Sequence, residues 1–472
     1  MINSYSSLEQ LTSAVNNMTV ASLREVARDF GIVPRNRKRD ELIQLILDVY
    51  KGDIKPEGPK KAGRPTKTAL SQPTVEPYSH ERTTTPPPLE QEVYEGILEI
   101  MPDGYGFVRT ENYSTTPGKD YYVPAAMITR MFLKTGDNLG VCLRHFPDRT
   151  APSVTYIKSI NDEVCPSIHR TSFDMLEACF PNQRINIVGD RTDYSLRALD
   201  LVAPIGKGTR GLIVAPPKAG KTILLKKIAQ AVTKNHPEIH LTVLLIDERP
   251  EEVTDFKDSV NCEVVYSTFD QSPQNHTRIA ELVMANARRR VEQGQDVMIL
   301  MDSITRLGRA YNQTIEMSGR TLTGGLDISA LQEPKKMFGS GRNVRNGGSL
   351  TILATALVET GSKLDDIVFE EFKGTGNMEI RLDRRMSEKR IFPAIDIYKS
   401  GTRKEELLLS KQELEAVFSM RKTLSSGNPA DATEQLIAMM ERTETNEEFV
   451  NKLNNMSKAY ERDGFSAGKR IN

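Results

Sequence analysis

Residues Gly211–Thr222 read GLIVAPPKAGKT, and the next ten, ILLKKIAQAV, carry Leu225, Ile228 and Val232 on one side of a helix. An apolar run, a loop ending Gly220-Lys221-Thr222 and a helix together make the strand–loop–helix context of a phosphate-binding loop. In that arrangement backbone N–H groups and the helix N-terminus cradle phosphate oxygens. Lys221 sets a cation against the β- and γ-phosphates, and the Thr222 hydroxyl is placed to ligate Mg²⁺. Lys218, Ala219, Gly220 and Ile223 complete the candidate ATP-binding set at this loop, and Ala215 stands where the pattern usually has its first glycine.

Two more apolar runs end in carboxylates. VMILMDS delivers Asp302 at the end of a buried strand, which suits a magnesium ligand. In LTVLLIDERPEEV, Glu248 lies just beyond a strand, within reach of a water aligned on the γ-phosphate, so it is the candidate base. Arg249 beside it is placed to touch phosphate. The same stretch also reads as a solvated acidic turn.

Around this core the 472-residue chain changes character several times, as expected of a multidomain α/β protein. Residues 1–50 read as a small helical module, with Thr19 as a cap, Leu23, Val26 and Ala27 on one face, then Leu42, Leu45 and Ile46 on another. Residues 51–92 read as a Pro-rich basic linker, too poor in apolar residues for a core. Its basic start is either a solvated spacer or a nonspecific tether for phosphate backbones. Residues 93–165 hold short strands with Gly and Asp punctuation (VYEGILEIM, GYGFVRT, KDYYVP, VTYIKSI), which predicts a small β-barrel. A connector covers 166–190. Over 191–422 strands alternate with helices, predicting a parallel sheet, and 423–472 read as C-terminal helices. Lys plus Arg number 63 and Asp plus Glu 63, so any polyanion site must be local rather than a bulk field. The cysteines at 142, 165, 179 and 262 show neither CxxC nor zinc-ligand spacing. With no apolar run long enough to span a bilayer, the chain is expected to be cytoplasmic, reduced and soluble.

GYGFVRT places Tyr105, Phe107 and Arg109 at i, i+2 and i+4, which share one face of a strand, while Gly104 and Gly106 keep the other face small. Two rings and a guanidinium make a stacking platform for bases, worth roughly 1–3 kcal/mol per base. Asp120 and Tyr122 on the next strand add a hydrogen-bonding group and a third ring. The competing reading is that these rings fill the barrel core.

APPKAGKT, LIDERPEEV, MDSITRLGRAYN, TLTGGLD, ETGSKLDD, FEEFKGTGNMEI and EKRIFPAIDIYKSGTRKEELL together resemble the transcription termination factor Rho family, from about Val93 to the C-terminus. The resemblance implies a homohexameric, RNA-dependent ATPase with a RecA-type motor and an OB-like RNA-binding barrel. Such a protein translocates along nascent RNA and dissociates the RNA polymerase elongation complex, with ATP and Mg²⁺ as cofactors and accessory elongation factors as further partners. It implies nucleotide contacts from Gly206, Lys207, Gly208, Thr209, Arg210 and Gly211, and an adenine-packing role for Phe392. It implies Arg403 as a finger reaching into the next subunit's site, with Arg390 as a second candidate. Glu248 and Asp302 take the roles already read for them. Gly104 to Arg109 (including Val108), Asp120, Tyr121 and Tyr122 fall in the family's primary site for pyrimidine-rich single strands. Arg320, Thr323 and Gly324 in Met317–Asp327, and Lys363 in Gly361-Ser362-Lys363, fall in loops gripping RNA in the central channel. Ala151-Pro152-Ser153 departs from the family, which often has an acidic residue and a Tyr there, so base preference is open. Two other classes compete: another enzyme on the same core, such as a rotary ATPase subunit or recombinase, and an RNA-binding module with an inactive nucleotide site. The barrel speaks against the first, and Lys221, Thr222, Glu248, Asp302 and Arg403 against the second.

Overall fold

The computed structural model describes Leu23, Ala27 and residues 39–51, 92–115, 119–146, 151–164, 170–316, 321–322, 324–424 and 428–462. The chain forms two units, Met1–Thr85 and Pro86–Asn472. In the first, the helix Arg39–Lys51 buries Leu42 and Ile46 with Leu23 and Ala27 in a small core. Thr19, Val26 and nearly all of the Pro-rich stretch lie outside the described residues.

The second unit begins with β1 (Tyr94–Ile100), β2 (Gly106–Arg109), β3 (Tyr121–Val123), β4 (Asn138–Arg144), β5 (Ser153–Ile160) and the short β6 (Glu163–Val164). They lie in the order β3-β2-β1-β4-β5-β6, and a β3–β5 pairing closes the barrel. Alternation decides which side chains go inside. Leu98, Val108, Val123, Leu139, Val141 and Val154 fill the interior with Ile128 from a short helix.

The connector is stitched into the motor: β7 (Ala178–Cys179) pairs with β14 (Arg342–Val344), and Phe173 is buried. The motor sheet adds β8 (Arg210–Ala215), β9 (His240–Glu248), β10 (Glu263–Thr268), β11 (Asp296–Asp302), β15 (Ser349–Leu357), β16 (Met378–Arg381) and β17 (Gly401–Thr402). A small hairpin, β12 (Thr321–Leu322) with β13 (Leu326–Asp327), stands apart from it. The order β10-β9-β11-β15-β8-β16 is parallel throughout, and β17 joins the β16 edge antiparallel.

Both faces of this sheet are covered, which is why its strands read as unbroken apolar runs. Leu212, Val214, Ile299 and Met301 face the helices Pro273–Glu292 and Ile304–Thr314. Ile213, Ala215, Met298 and Leu300 face the helix Lys221–Asn235. Leu436, Met440, Phe449 and Leu453 bury the C-terminal helices against Leu201 and Val202. Among the described residues no helix is long and apolar enough to cross a membrane.

The barrel rests on the motor's long helix. The Asn112 side chain pairs with both the N–H and the carbonyl of Tyr266 at 2.8 Å, and Asn286 donates to the Gly136 carbonyl at 2.9 Å. A Cβ on Gly136 would lie 2.4 Å from the Ala285 carbonyl carbon, so only glycine permits this approach.

Candidate active site and RNA interface

Because β8, β9 and β11 are parallel, their last residues share one edge, where α/β sheets hold ligands. At that edge Gly220 adopts φ 90°, which its missing side chain allows, and the helix starts at Lys221. Lys218 also has positive φ, at 65°. Lys221 Nζ donates to Asp302 Oδ1 at 2.7 Å and Oδ2 at 2.6 Å, and stands 3.8 Å from Glu248 Oε2. Asp302 is 1% exposed and also accepts from the Thr355 hydroxyl at 2.7 Å. The Asp302–Ser303 peptide is cis.

Glu248 is 2% exposed. Oε1 lies 3.2 Å from Arg306 Nη1 and accepts from the Arg249 backbone N–H at 3.3 Å, while Oε2 has no hydrogen-bond partner. Burial pushes its carboxyl above the usual range, against the opposing pull of Lys221 and Arg306. A buried carboxylate with a free oxygen and raised proton affinity is suited to accept a proton. Arg306 and Thr355 were not singled out in the sequence. Arg306 sits one helical turn past Asp302, a spacing that gives a signal; Thr355 shows none within its apolar strand.

Phe392 is 47% exposed and lines a cleft of about 150 Å³ with Gly220, Ile223, Leu224 and Lys227, beside the phosphate loop. Ser387 Oγ donates to the Lys218 carbonyl at 2.9 Å, tying this segment to the loop. Arg390, exposed and at φ 63°, belongs to the same segment, on this chain's own nucleotide side.

Gly206–Gly211 lie elsewhere. They precede and open β8, and its six residues put them roughly 15–20 Å from the phosphate loop. Lys207 Nζ pairs with Asp296 at 2.6 Å, Gly208 N–H donates to Thr351 Oγ1 and Gly206 N–H to Thr209 Oγ1, each at 2.9 Å. Closeness in sequence to the loop is thus the length of a strand in space. Arg403 shares this far edge. Its N–H donates to the Asn377 carbonyl at 2.7 Å, while the Arg210 N–H donates to Asn377 Oδ1 at 2.8 Å. Arg403 is exposed and lines an open cleft with Arg421 and Glu405.

On the barrel, Tyr105, Phe107 and Tyr122 lie outside the core and touch one another, with centroids 5.7–6.1 Å apart. The Pro152 carbonyl accepts from the Tyr122 N–H at 2.8 Å, so the divergent Ala151-Pro152-Ser153 segment supports this ring by its backbone. Gly106 faces inward, where a Cβ would come within 2.9 Å of Leu98 and Glu99 atoms; Gly104 turns at φ 86°. Val108 belongs to the core, and Tyr121 turns away to meet Tyr94 edge-on at 5.5 Å. Arg109 is less exposed than its place on the ring face suggests. It is 5% exposed, bound to Asp120 at 2.6 Å and Glu99 at 2.7 Å, with its guanidinium 4.8 Å from the Phe107 centroid. A buried cation needs paired anions, which here come from β1 and from the residue just before β3.

A Cβ on Gly324 would lie 3.3 Å from Lys363 Cβ, so the two candidate channel loops meet. Arg320 and Thr323 lie outside the described residues. Among the described residues no cluster of three or more His, Cys, Asp or Glu side chains gathers to hold a metal. A strand-end carboxylate, Asp302, next to the helix start that carries Thr222 instead suits a magnesium ion carried largely by phosphates and water.

Residues 94–165 match the family described as Rho termination factor, RNA-binding domain, and residues 195–402 match the ATP synthase alpha/beta family, nucleotide-binding domain. Transcription termination factor Rho of Aquifex aeolicus (strain VF5) is 52% identical over 366 residues, covering 76% of this chain and 84% of that protein. The Bacillus subtilis (strain 168) protein of the same name is 51% identical over 363 residues, covering 76% and 84%. Among solved structures, an ATPase from a type III secretion system of pathogenic bacteria aligns with TM-score 0.52 at 23% identity, covering 65% of this chain and 94% of that one.

The environment of Glu248 has a measurable consequence. A carboxyl whose pKa rises on folding loses stability once pH climbs above its unfolded value, about 4.3. Glu248→Gln removes that cost. The variant is expected to melt above the parent protein near neutral pH, with the gap closing as pH falls toward about 4. A lower melting temperature at neutral pH contradicts this environment.

Proposed function

The chain belongs to the transcription termination factor Rho family, and from that premise we propose how its residues bind nucleotide, hydrolyse it and hold RNA. It is an RNA-dependent ATPase that terminates transcription. The observation that carries the mechanism is the meeting of Lys221, Glu248 and Asp302 at one sheet edge. ATP lies with its phosphates on the Lys218–Thr222 loop and its base against Phe392. Lys221 neutralises the β- and γ-phosphates. Asp302 and Thr222 would hold Mg²⁺, which supplies charge neutralisation at the phosphates when bound. Glu248 takes the proton of the attacking water through its unpartnered Oε2.

Arg403 completes a neighbouring subunit's site. It stands a strand's length from its own phosphate loop, out of reach of its own γ-phosphate and exposed toward a neighbouring copy. Fingers of this kind are worth about 10³–10⁵ in rate. Gly206–Gly211 lie at the same far edge and support that shared interface. The assembly is a homohexamer, and RNA bound on the Tyr105–Phe107–Tyr122 rings is pyrimidine-rich single strand. RNA also passes Gly324 and Lys363. The RNA polymerase elongation complex is the target, in the cytoplasm.

Glu248→Gln is expected to bind ATP normally and to lose turnover by more than about a hundredfold. Unchanged turnover removes Glu248 as the base. Arg403→Ala is also expected to be inactive alone. When Arg403→Ala and Glu248→Gln subunits are mixed and reassembled, about a quarter of sites regain an intact base and an intact neighbouring finger. Recovered hydrolysis supports the shared site. A mixture as inactive as its components places Arg403 outside it.

A further inference from the structure

We propose that Arg278, in the motor, is a positioning residue for the base platform, acting through Glu99 on Arg109. Glu99 sits on β1 between the two. It accepts from Arg278 Nε at 2.8 Å and Nη2 at 2.6 Å, and from Arg109 Nε at 2.7 Å. Arg109 in turn holds Asp120 and lies beneath Phe107. The chain of contacts therefore runs from the outer rings, through a shared carboxylate, to a helix of the ATPase.

Burial raises the proton affinity of Glu99, but Arg278 first and Arg109 second reverse this and hold it ionised below the usual range. The three side chains are 23%, 13% and 6% exposed, so solvent screens them little. A carboxylate bridging two guanidiniums fixes both, because bidentate geometry is directional. Losing Arg278 leaves Glu99 with one cation. Arg109 then shifts to satisfy it, and the underside of the Phe107 ring changes.

The same helix reaches the nucleotide side. Arg278 lies in the second turn of Pro273–Glu292, capped by Ser272. Just before it, Thr268 pairs in register with Glu248, and the Phe269 N–H donates to the Glu248 carbonyl at 3.1 Å. Any shift of Arg278 that accompanies RNA stacking is thus carried on the element after the strand beside the base, and such coupling is reciprocal. Arg278 also donates to the Tyr113 carbonyl at 3.0 Å, but docking of the barrel does not rest on it alone, since Asn112 on Tyr266, Tyr113 on Glu263 and Asn286 on Gly136 hold it as well.

The proposal rests on the reading of the rings as the RNA surface, and a double-mutant cycle separates the two. Binding of a labelled oligo-cytidine RNA to the full chain is measured for the parent, Arg278→Gln, Phe107→Ala and the double variant. Arg278→Gln is expected to raise the half-saturating RNA concentration about five- to tenfold in the parent and less than about twofold in Phe107→Ala. Arg278→Lys, which keeps the charge without the fork, falls between. Glu99→Gln, changed from the barrel side, reproduces Arg278→Gln and does not add to it, and it decides the matter if Arg278→Gln fails to fold. Equal fold-changes in both backgrounds, or none in either, overturn the proposal. If Phe107→Ala itself leaves binding unchanged, the RNA reading of the rings falls as well.

Discussion

A parallel sheet brings all its strand ends to one edge, and that constraint organises this molecule. The apolar runs of β8, β9 and β11 are buried on both faces, so their charged residues are pushed to the ends. Glu248 and Asp302 stand at the ends of neighbouring parallel strands, and the loop after β8 brings Lys221, the first residue of its helix, to both. The Lys221–Asp302 contact at 2.6 Å is the centre of the cluster, with Thr355 and Arg306 holding the two carboxylates from either side. Gly206–Gly211 lie where β8 begins, at the opposite edge, and the antiparallel β17 brings Arg403 to that edge as well. Under the proposed mechanism the two edges are the two halves of a shared site, which assembly would join.

The barrel is coupled to this core by apolar packing of Ile97 and Tyr113 and by a set of polar contacts. Asn112, Tyr113, Asn286 and the Glu99 carboxylate each bridge it to the motor. Directional contacts of this kind fix orientation, and they are sensitive to small displacements. The rings that face outward on β2 and β3 are therefore connected to the strand that bears Glu248 by one helix and a few hydrogen bonds.

Much of this was legible in the sequence, for identifiable reasons. The sheet could be read from apolar runs bounded by turns, and the phosphate loop from Gly220-Lys221-Thr222 at a helix start. The outward rings followed from the two-residue period of a strand. Long-range pairings were not legible. Arg109 shares the period of Phe107, yet its burial depends on Glu99 from β1 and Asp120 just before β3. Thr355 looks like any other residue of an apolar strand until β15 is seen beside β11. Gly206–Gly211 adjoin the loop in sequence but sit a full strand away, because a strand is the most extended path a chain can take.

ATP hydrolysis compared with no polymer, with single-stranded RNA and with DNA of the same sequence tests the central claim most directly. Strong stimulation by RNA alone is expected, because the barrel and the hydrolytic site are parts of one coupled machine. Equal hydrolysis in all three conditions would contradict that coupling and leave a nucleotide hydrolase whose barrel has no hold on its motor.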